Sequence, residues 1–350
     1  MRDDLDPTTD PSAATPGTPL RGPRVVLLAG GAGGSTFAVG LRDVVAEAGG
    51  HLTVVCNTAD DLWVHGLRIQ PDVDSMLYGL AGVKDPLRGW GRAGDSDRVA
   101  QEIAAWNLGW DWFALGDLDL GTHIARTSWL RSGVGVSGVV ERLAARWPLG
   151  ATLLPMTESE VETMVELDDE TIHFQEWWTR YRAQRVPRAF ANPGMSEASP
   201  APGILSALES ADVIVLAPSN PVVSIGTILA VPGIADAIRA ASAPVVGVSP
   251  IIAGAAVRGM AEVCLAVVGA ECSAAGVARL YGARREGGLL DAWLIAEEDA
   301  AEAPAVQALG IRALVRPLWM KDLPLTRDLA DAALAAAFPR AEAAPRHPSA

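Results

Sequence analysis

Six aspartates stand in three closely spaced pairs, a pattern that suits either helix capping or the binding of a cation. The three pairs are Asp60 with Asp61, Asp72 with Asp74, and Asp117 with Asp119. Short acidic residues often cap helices or form turns. In a doubly wound sheet, however, the loops after the strands meet at one edge, so pairs that are distant in sequence can converge there. The three pairs together favour a site for Mg²⁺, which takes one or two carboxylates and fills its remaining positions with water and phosphate oxygens.

A glycine cluster is the second chemical signal. It follows the apolar run Val25–Leu28 and consists of Gly30, Gly31, Gly33 and Gly34. Backbone N–H groups at such a strand-to-helix turn attract phosphate, although glycines here can also serve strand–helix packing alone. Thr36 stands where the dinucleotide fingerprint needs glycine, and Asn57 ends the second strand in place of the ribose-binding acid. A nicotinamide site is therefore disfavoured, and the absence of lysine from the loop disfavours a Walker loop.

Two further loops have side chains that suit a nucleotide. Ser219-Asn220-Pro221 and Ser249 each follow an apolar segment, where they either cap a helix or contact a base. The stretch 173–182 is rich in aromatic and arginine side chains and suits either stacking on a flat ring or a core or dimer face. No serine or cysteine stands in a nucleophile motif, so the sequence favours positioning and charge neutralisation over covalent catalysis.

The overall composition disfavours several classes of partner. The chain has 350 residues, 28 of them basic and 42 acidic, which gives a formal charge of −14. This balance argues against nucleic acids and anionic membranes as partners. Three cysteines cannot form a closed set of disulfides, and no apolar run is long enough for a signal peptide or a membrane span. We therefore predict a cytoplasmic protein.

The candidate residues need a scaffold that brings their loops together. Short apolar segments alternate with alanine-rich helical stretches, which predicts an α/β fold: a Rossmann-like, doubly wound parallel sheet with a smaller helical insert region. We predict a disordered leader at 1–23, a single catalytic domain at 24–338 with an inserted helical and aromatic segment at about 152–200, and a frayed tail at 339–350. The predicted strands are Val25–Leu28, Leu52–Cys56, Trp112–Leu115, Val213–Ala217 and Val245–Val248.

Taken in chain order, these segments resemble one family. The chain is similar to the CofD/FbiA family, the 2-phospho-L-lactate or phosphoenolpyruvate transferases of coenzyme F-420 biosynthesis, over roughly residues 24–329. The resemblance rests on the segments 28–35, 57–61, 71–75, 116–120, 173–181, 217–226 and 248–260. It implies a homodimer that uses Mg²⁺ to move a phosphoenolpyruvyl or 2-phospholactyl group from a guanosine diphosphate conjugate to the ribityl hydroxyl of the deazaflavin Fo, with release of GMP.

The resemblance also implies roles for individual residues. Asp60 and Asp74 hold the metal, and Asp60, Asp61 and Asp74 form the predicted catalytic set. The chemistry of attack by a hydroxyl, independently of the resemblance, leaves both Asp61 and Asp74 as candidates for the acceptor of its proton. The 30–34 loop and Asn57 hold the diphosphate, and Asp74 and Asp117 face Fo. The remaining members of the implied substrate-binding set are Thr58, Ser219, Asn220, Pro221 and Ser249.

Three positions depart from the family pattern. Thr36, Leu118 and Ala255 stand where members often have a basic residue, which predicts weaker binding of an anionic donor, a shift in the acyl group that is accepted, or a stronger dependence on the metal. The same departures also fit a paralogue that binds its ligands without turnover. Two alternatives remain open at this stage. One is a non-catalytic, nucleotide-sugar-binding regulatory protein of the YvcK type, disfavoured by Leu62-Trp63-Val64-His65 after the first acidic pair. The other is the nicotinamide oxidoreductase that Thr36 and Asn57 already disfavour.

Overall fold

A seven-stranded, entirely parallel sheet forms the centre of the molecule. The computed structural model describes residues 22–109, 112–257 and 260–338, so the predicted leader, apart from residues 22–23, and the predicted tail lie outside the described residues. The sheet has the strand order β14-β13-β10-β9-β1-β2-β5. The strands are β1 Arg24–Ala29, β2 His51–Cys56, β3 Leu62–Val64, β4 Leu67–Ile69, β5 Thr152–Pro155, β6 Met164–Glu166, β7 Thr171–His173, β8 Ala189–Ala191, β9 Val213–Leu216, β10 Val245–Val248, β11 Ile251–Ile252, β12 Ala255–Ala256, β13 Ala292–Ala296 and β14 Arg312–Arg316.

Helices cover both faces of this sheet. They are α1 Gly31–Glu47, α2 Pro71–Leu80, α3 Arg98–Ala105, α4 Asp117–Arg131, α5 Val136–Ala144, α6 Ile204–Ser210, α7 Ile225–Ala230, α8 Ile234–Ala240, α9 Ala261–Val267, α10 Ala274–Tyr281, α11 Ala303–Ala308 and α12 Leu323–Ala337. Among the described residues, no helix is both long and apolar enough to cross a membrane.

Strand β1 shows why the central strands are continuous apolar runs. Val26 and Leu28 belong to the hydrophobic core on one face of the sheet, and Val25 and Leu27 belong to the core on the other face. A strand covered on both faces has no polar side, so the alternation typical of a half-exposed strand is absent. The predicted α/β fold with a doubly wound parallel sheet is therefore confirmed.

The chain reverses direction across the sheet between β1 and β9. Strand β2 pairs with one edge of β1, whereas β9 pairs with the other edge, and later strands extend the sheet outward from β9. At such a switch point the loops after the two strands diverge and leave a crevice where ligands bind. The glycine loop follows β1 and the Ser219 loop follows β9, so the fold places both at this crevice.

Two predicted segments have different structures. Trp112–Leu115 is not a strand but part of an irregular loop before α4, because its apolar side chains line a cleft instead of a sheet face. Between β2 and β5, helices α2 to α5 supply the helical insert region. The segment 152–200 contains β5 of the central sheet, the small antiparallel sheet β7-β6-β8 and, at Glu176–Arg180, a five-residue π-helix, so it is less helical than predicted.

Candidate functional site

A deep cleft opens at the carboxyl ends of the central strands. Its volume is about 880 Å³, and the loops that follow β1, β9 and β10 all contribute to its lining. The start of α2 and Asp60, which follows β2, complete the floor. Segments from the α2–α4 connection and from the β7–β8 region form two side walls. The cleft therefore lies where the topology alone predicts a ligand site.

The glycine loop is held directly against the loop after β9. The Gly30 N–H donates to Ser219 Oγ at 3.1 Å, and the same hydroxyl donates to the Gly30 carbonyl at 2.7 Å. A Cβ atom at Gly34 would lie 2.5 Å from Ser219 Oγ, so this contact needs glycine. The first residues of α1, including Gly31 and Gly33, line the cleft and present the positive end of a 17-residue helix to it.

Asn57 lies beneath the cleft rather than in its lining. Its Nδ2 donates to Asp72 Oδ2 at 2.9 Å, and its Oδ1 accepts from the Ala59 N–H and from Thr227 Oγ1 at 3.0 and 2.7 Å. The side chain is fully buried, so it orients Asp72 and ties the loop after β2 to α7. Of the other predicted residues, Thr58, Gly34 and Pro221 also stand outside the lining, whereas Ser219, Asn220 and Ser249 stand in it.

Three carboxylates from the first two acidic pairs reach the cleft. Asp60, Asp72 and Asp74 are each 6% exposed. Burial, reinforced by the neighbouring Asp72 charge, raises the pKa of Asp60 well above its ordinary value. Burial also raises the pKa of Asp72 to about 6, although hydrogen bonds from Asn57 and from the Gly31 backbone oppose the shift. A divalent cation would stabilise the ionised form of these crowded groups.

Asp61 points away from these three carboxylates and into a network of its own. Gln70 Nε2 donates to Asp61 Oδ2 at 2.6 Å, and the Arg68 guanidinium lies 3.8 Å from the same oxygen. Burial raises the pKa of Asp61 to about 8 despite the opposing charge of Arg68. Because Asp61 does not line the cleft, its position suits support of the Asp60 loop better than contact with a substrate.

Asp74 belongs to a buried charged cluster with two residues of α4. Arg126 Nη2 donates to Asp74 Oδ1. The Nδ1 atom of His123 lies 3.6 Å from Asp74 Oδ2 and 2.9 Å from Arg126 Nη1. Burial lowers the pKa of His123 to about 4, so the imidazole is neutral at neutral pH. Arg126 thus pairs with one oxygen of Asp74 and leaves the second carboxylate oxygen for another partner.

The third acidic pair is split between two environments. Asp119 is 7% exposed and lines the cleft, and burial together with the Asp74 charge raises its pKa to about 6. Asp117 instead accepts hydrogen bonds from Ser96 Oγ, Arg98 Nε and the Val99 N–H at 2.6, 3.0 and 3.1 Å, and these bonds lower its pKa. Asp117 is outside the lining of the cleft, so Asp119 is the member of this pair that reaches the site.

Two carboxylates suit the predicted magnesium ion. Asp60 Oδ1 and Asp74 Oδ2 are buried oxygens without a hydrogen-bond partner among the described residues, and both residues line the cleft. Asp119 Oδ1 is a third such oxygen in the lining. No group of three or more His, Cys, Asp or Glu residues with metal-binding geometry occurs in the described part of the chain. Mg²⁺ commonly uses only one or two carboxylates beside phosphate oxygens and water, so the donor set fits this ion.

Basic and aromatic side chains complete the lining. Arg88 and Lys321 stand in the cleft, as does Thr36, whereas Leu118 and Ala255 do not. Of the three positions where the family often has a basic residue, Thr36 is therefore the one that lines the cleft. Aromatic rings occupy both side walls: Trp90, Trp112 and Phe113 on one, and Phe174 and Trp178, stacked at 6.0 Å, on the other.

Sequence reasoning did not identify Arg126 or the cations of the cleft. A signal for Arg126 did exist, since it follows His123 by three residues and therefore shares a face of α4 with it. Its pairing with Asp74, 52 residues away, has no counterpart in local sequence. Arg88 and Lys321 come from loops whose course depends on the tertiary structure, so spacing alone did not distinguish them from other surface cations.

Comparison with known proteins gives a consistent result. The family model described as "2-phospho-L-lactate transferase CofD" matches residues 25–310. A phosphoenolpyruvate transferase of Nocardia farcinica is 47% identical over 323 residues, which cover 90% of this chain and 95% of that protein. Proteins of the same name from Streptomyces griseus and Mycobacterium avium are 50% and 43% identical, cover 89% of this chain in each case, and are themselves covered to 97% and 98%.

Solved structures support the fold. Two crystal structures of a Bacillus halodurans protein of the UPF0052 family match with TM-scores of 0.61 and 0.62. Each covers 90% of this chain, and 100% and 99% of the solved chains are matched. The sequence identities are 18% and 17%, so this likeness concerns the fold alone.

Proposed function

Because the chain belongs to the CofD family, the transferases of coenzyme F-420 biosynthesis, we propose that it transfers a phosphoenolpyruvyl group from a guanosine diphosphate conjugate to the ribityl hydroxyl of the deazaflavin Fo. The products are dehydro coenzyme F-420-0 and GMP. The relatives of 43–50% identity named above are phosphoenolpyruvate transferases, which favours this acyl group over 2-phospholactyl. The homodimer and the cytoplasmic location stay predictions.

The reaction is an in-line substitution at phosphorus. The ribityl oxygen forms a new bond to the phosphorus that bears the enolpyruvyl oxygen, and the bond from this phosphorus to the bridging oxygen breaks. GMP leaves with that electron pair, and the hydroxyl proton passes to a base or to solvent. Catalysis of this kind depends on alignment and on stabilising the charge of the equatorial oxygens.

One observation above all supports this chemistry. At the switch point, the glycine-rich start of α1 faces buried carboxylates, and Asp60 and Asp74 each have an oxygen that no described residue satisfies. An anionic diphosphate beside such acids needs a cation between them. We therefore propose that Asp60 and Asp74 hold Mg²⁺, which when bound neutralises the diphosphate charge.

The two aromatic walls suit the two flat rings of the substrates. The wall with Phe174 and Trp178 adjoins Asn220 and Val223 of the loop after β9, which favours the guanine end of the donor there. The other aromatic group, with Trp112 and Phe113, lines the cleft together with Asp119, and we assign it to the deazaflavin. Aromatic stacking contributes about 0.5–1.5 kcal/mol per pair beyond burial, so each wall adds measurable affinity.

Direct turnover tests the proposal. Purified protein, Fo and Mg²⁺ are incubated with the guanosine diphosphate conjugate of phosphoenolpyruvate or of 2-phospholactate, and the deazaflavin mass and GMP are followed. We expect a heavier deazaflavin and equimolar GMP with the first conjugate, and less product with the second. Binding of either conjugate without any heavier deazaflavin would contradict the transferase proposal.

A further inference from the structure

The geometry around His123 defines which of its ring nitrogens bears the proton. Its Nδ1 atom lies 2.9 Å from Arg126 Nη1. A guanidinium group has only donors, so Nδ1 must accept and the proton of the neutral ring must be on Nε2.

The Nε2 atom of this ring differs from Nδ1 in its hydrogen bonding. Among the described residues it has no hydrogen-bond partner, and His123 lines the cleft beside Asp74 and Asp119. The ring is 2% exposed, so it is held in place by packing and by Arg126. A fixed N–H donor at the edge of a buried anionic site is therefore available to a bound molecule.

Arg126 itself is anchored on three sides. Besides Asp74 and His123, its Nη1 donates to the Arg68 carbonyl at 3.3 Å, and the side chain is completely buried. The same guanidinium thus orients a carboxylate and sets a histidine tautomer. This coupling ties the direction of the Nε2–H donor to the position of Asp74.

We propose that His123 donates its Nε2–H to a non-bridging oxygen of the phosphorus that is transferred. This inference rests on the proposed function, because it needs a phosphoryl group beside Asp74. The donor strengthens its hydrogen bond as negative charge grows on the equatorial oxygens, and it gives up no proton. Removing a single donor of this type typically costs about 10²–10³-fold in kcat.

Two substitutions separate this role from a structural one. His123→Asn keeps an acceptor oxygen for Arg126 but places no N–H at the Nε2 position, whereas His123→Gln places its amide N–H there. We expect His123→Asn to lower kcat about 100-fold with KM within about threefold of wild type, because the bond matters most in the transition state. We expect His123→Gln to recover kcat to within about tenfold of wild type.

The control is His51→Gln at the start of β2, outside the lining of the cleft, where the imidazole Nε2 lies 2.9 Å from Thr152 Oγ1. Circular dichroism verifies that each variant folds. A wild-type kcat in His123→Asn, or a His123→Gln variant as slow as His123→Asn, would overturn the role of His123 while leaving the transferase proposal intact. No turnover by the wild-type protein would overturn both.

Discussion

Two helices of this protein begin with the same Asp-x-Asp pattern, yet the two starts have different roles. In α2 the pattern is Asp72-Val73-Asp74, and both carboxylates line the cleft. In α4 it is Asp117-Leu118-Asp119, and only Asp119 lines the cleft. The difference lies in what surrounds each first turn.

The start of α2 lies under the glycine loop, so close that a Cβ atom at Gly30 would be 2.5 Å from Asp72 Oδ2. The start of α4 is instead covered by residues 95–99, which lead into α3 and whose N–H and hydroxyl groups satisfy Asp117. A carboxylate whose oxygens already accept several hydrogen bonds has no oxygen left for a cation, whereas one that lines the cleft with an unpartnered buried oxygen is a candidate ligand. Charge spacing alone does not distinguish these cases.

Asp74→Asn should produce the largest effect. The amide keeps the shape of the side chain but removes the negative charge that pairs with Arg126 and that we assign to the metal. We expect kcat/KM to fall by about 10³-fold or more, which corresponds to about 4 kcal/mol of lost transition-state stabilisation. The measurement is steady-state formation of GMP at saturating Mg²⁺. A folded variant with the wild-type rate would remove Asp74 from the site.

Asp119→Asn should change the pH dependence of stability. The folded pKa of Asp119, about 6, lies above its ordinary value of 3.8, so ionisation of this group opposes folding. Wild-type stability should therefore fall relative to the variant as the pH rises from about 4 to 6, and the difference should reach up to about 3 kcal/mol above that range. Urea unfolding at pH 4, 5.5 and 7.5 measures it. Parallel curves for the two proteins would show that Asp119 is not held in an unfavourable environment.

Asp117→Asn should have the smallest effect and provides the matched control for both variants. Its lowered pKa means that the carboxylate favours folding at neutral pH, and this contribution disappears as the pH falls below about 4. We expect a slightly lower melting temperature at pH 7, no difference near pH 3, and kcat within about twofold of wild type. A large loss of turnover would place Asp117 in the site after all.

The sequence predicted those parts of the fold that depend on local pattern. The predicted bounds of β1, β2, β9 and β10 lie within about one or two residues of the observed strands, because buried parallel strands are short apolar runs that end at glycine or polar loops. The run Trp112–Leu115 has the same composition but lines the cleft, a difference that only the tertiary structure defines. Strands β5, β13 and β14 of the central sheet were not predicted.

For the candidate site, the sequence predicted the types of residue but not the directions of their side chains. The acids and the glycine loop were recognisable as types, and the topology explains why they meet. Their orientation was not predictable, because Asn57 turns inward to Asp72 and Thr227, and Asp61 turns to Gln70. Long-range partners decide which of several similar side chains faces a ligand.

The binding of Mn²⁺, as a paramagnetic substitute for Mg²⁺, tests the central claim most directly. Electron paramagnetic resonance titrations in the presence of GDP would compare wild type with Asp60→Asn, Asp74→Asn and Asp117→Asn. We expect wild type and Asp117→Asn to bind Mn²⁺ equally, and each of the other two variants to bind at least about tenfold more weakly, or about 1.4 kcal/mol. Equal affinity in all four proteins would contradict the assignment of the cation to Asp60 and Asp74.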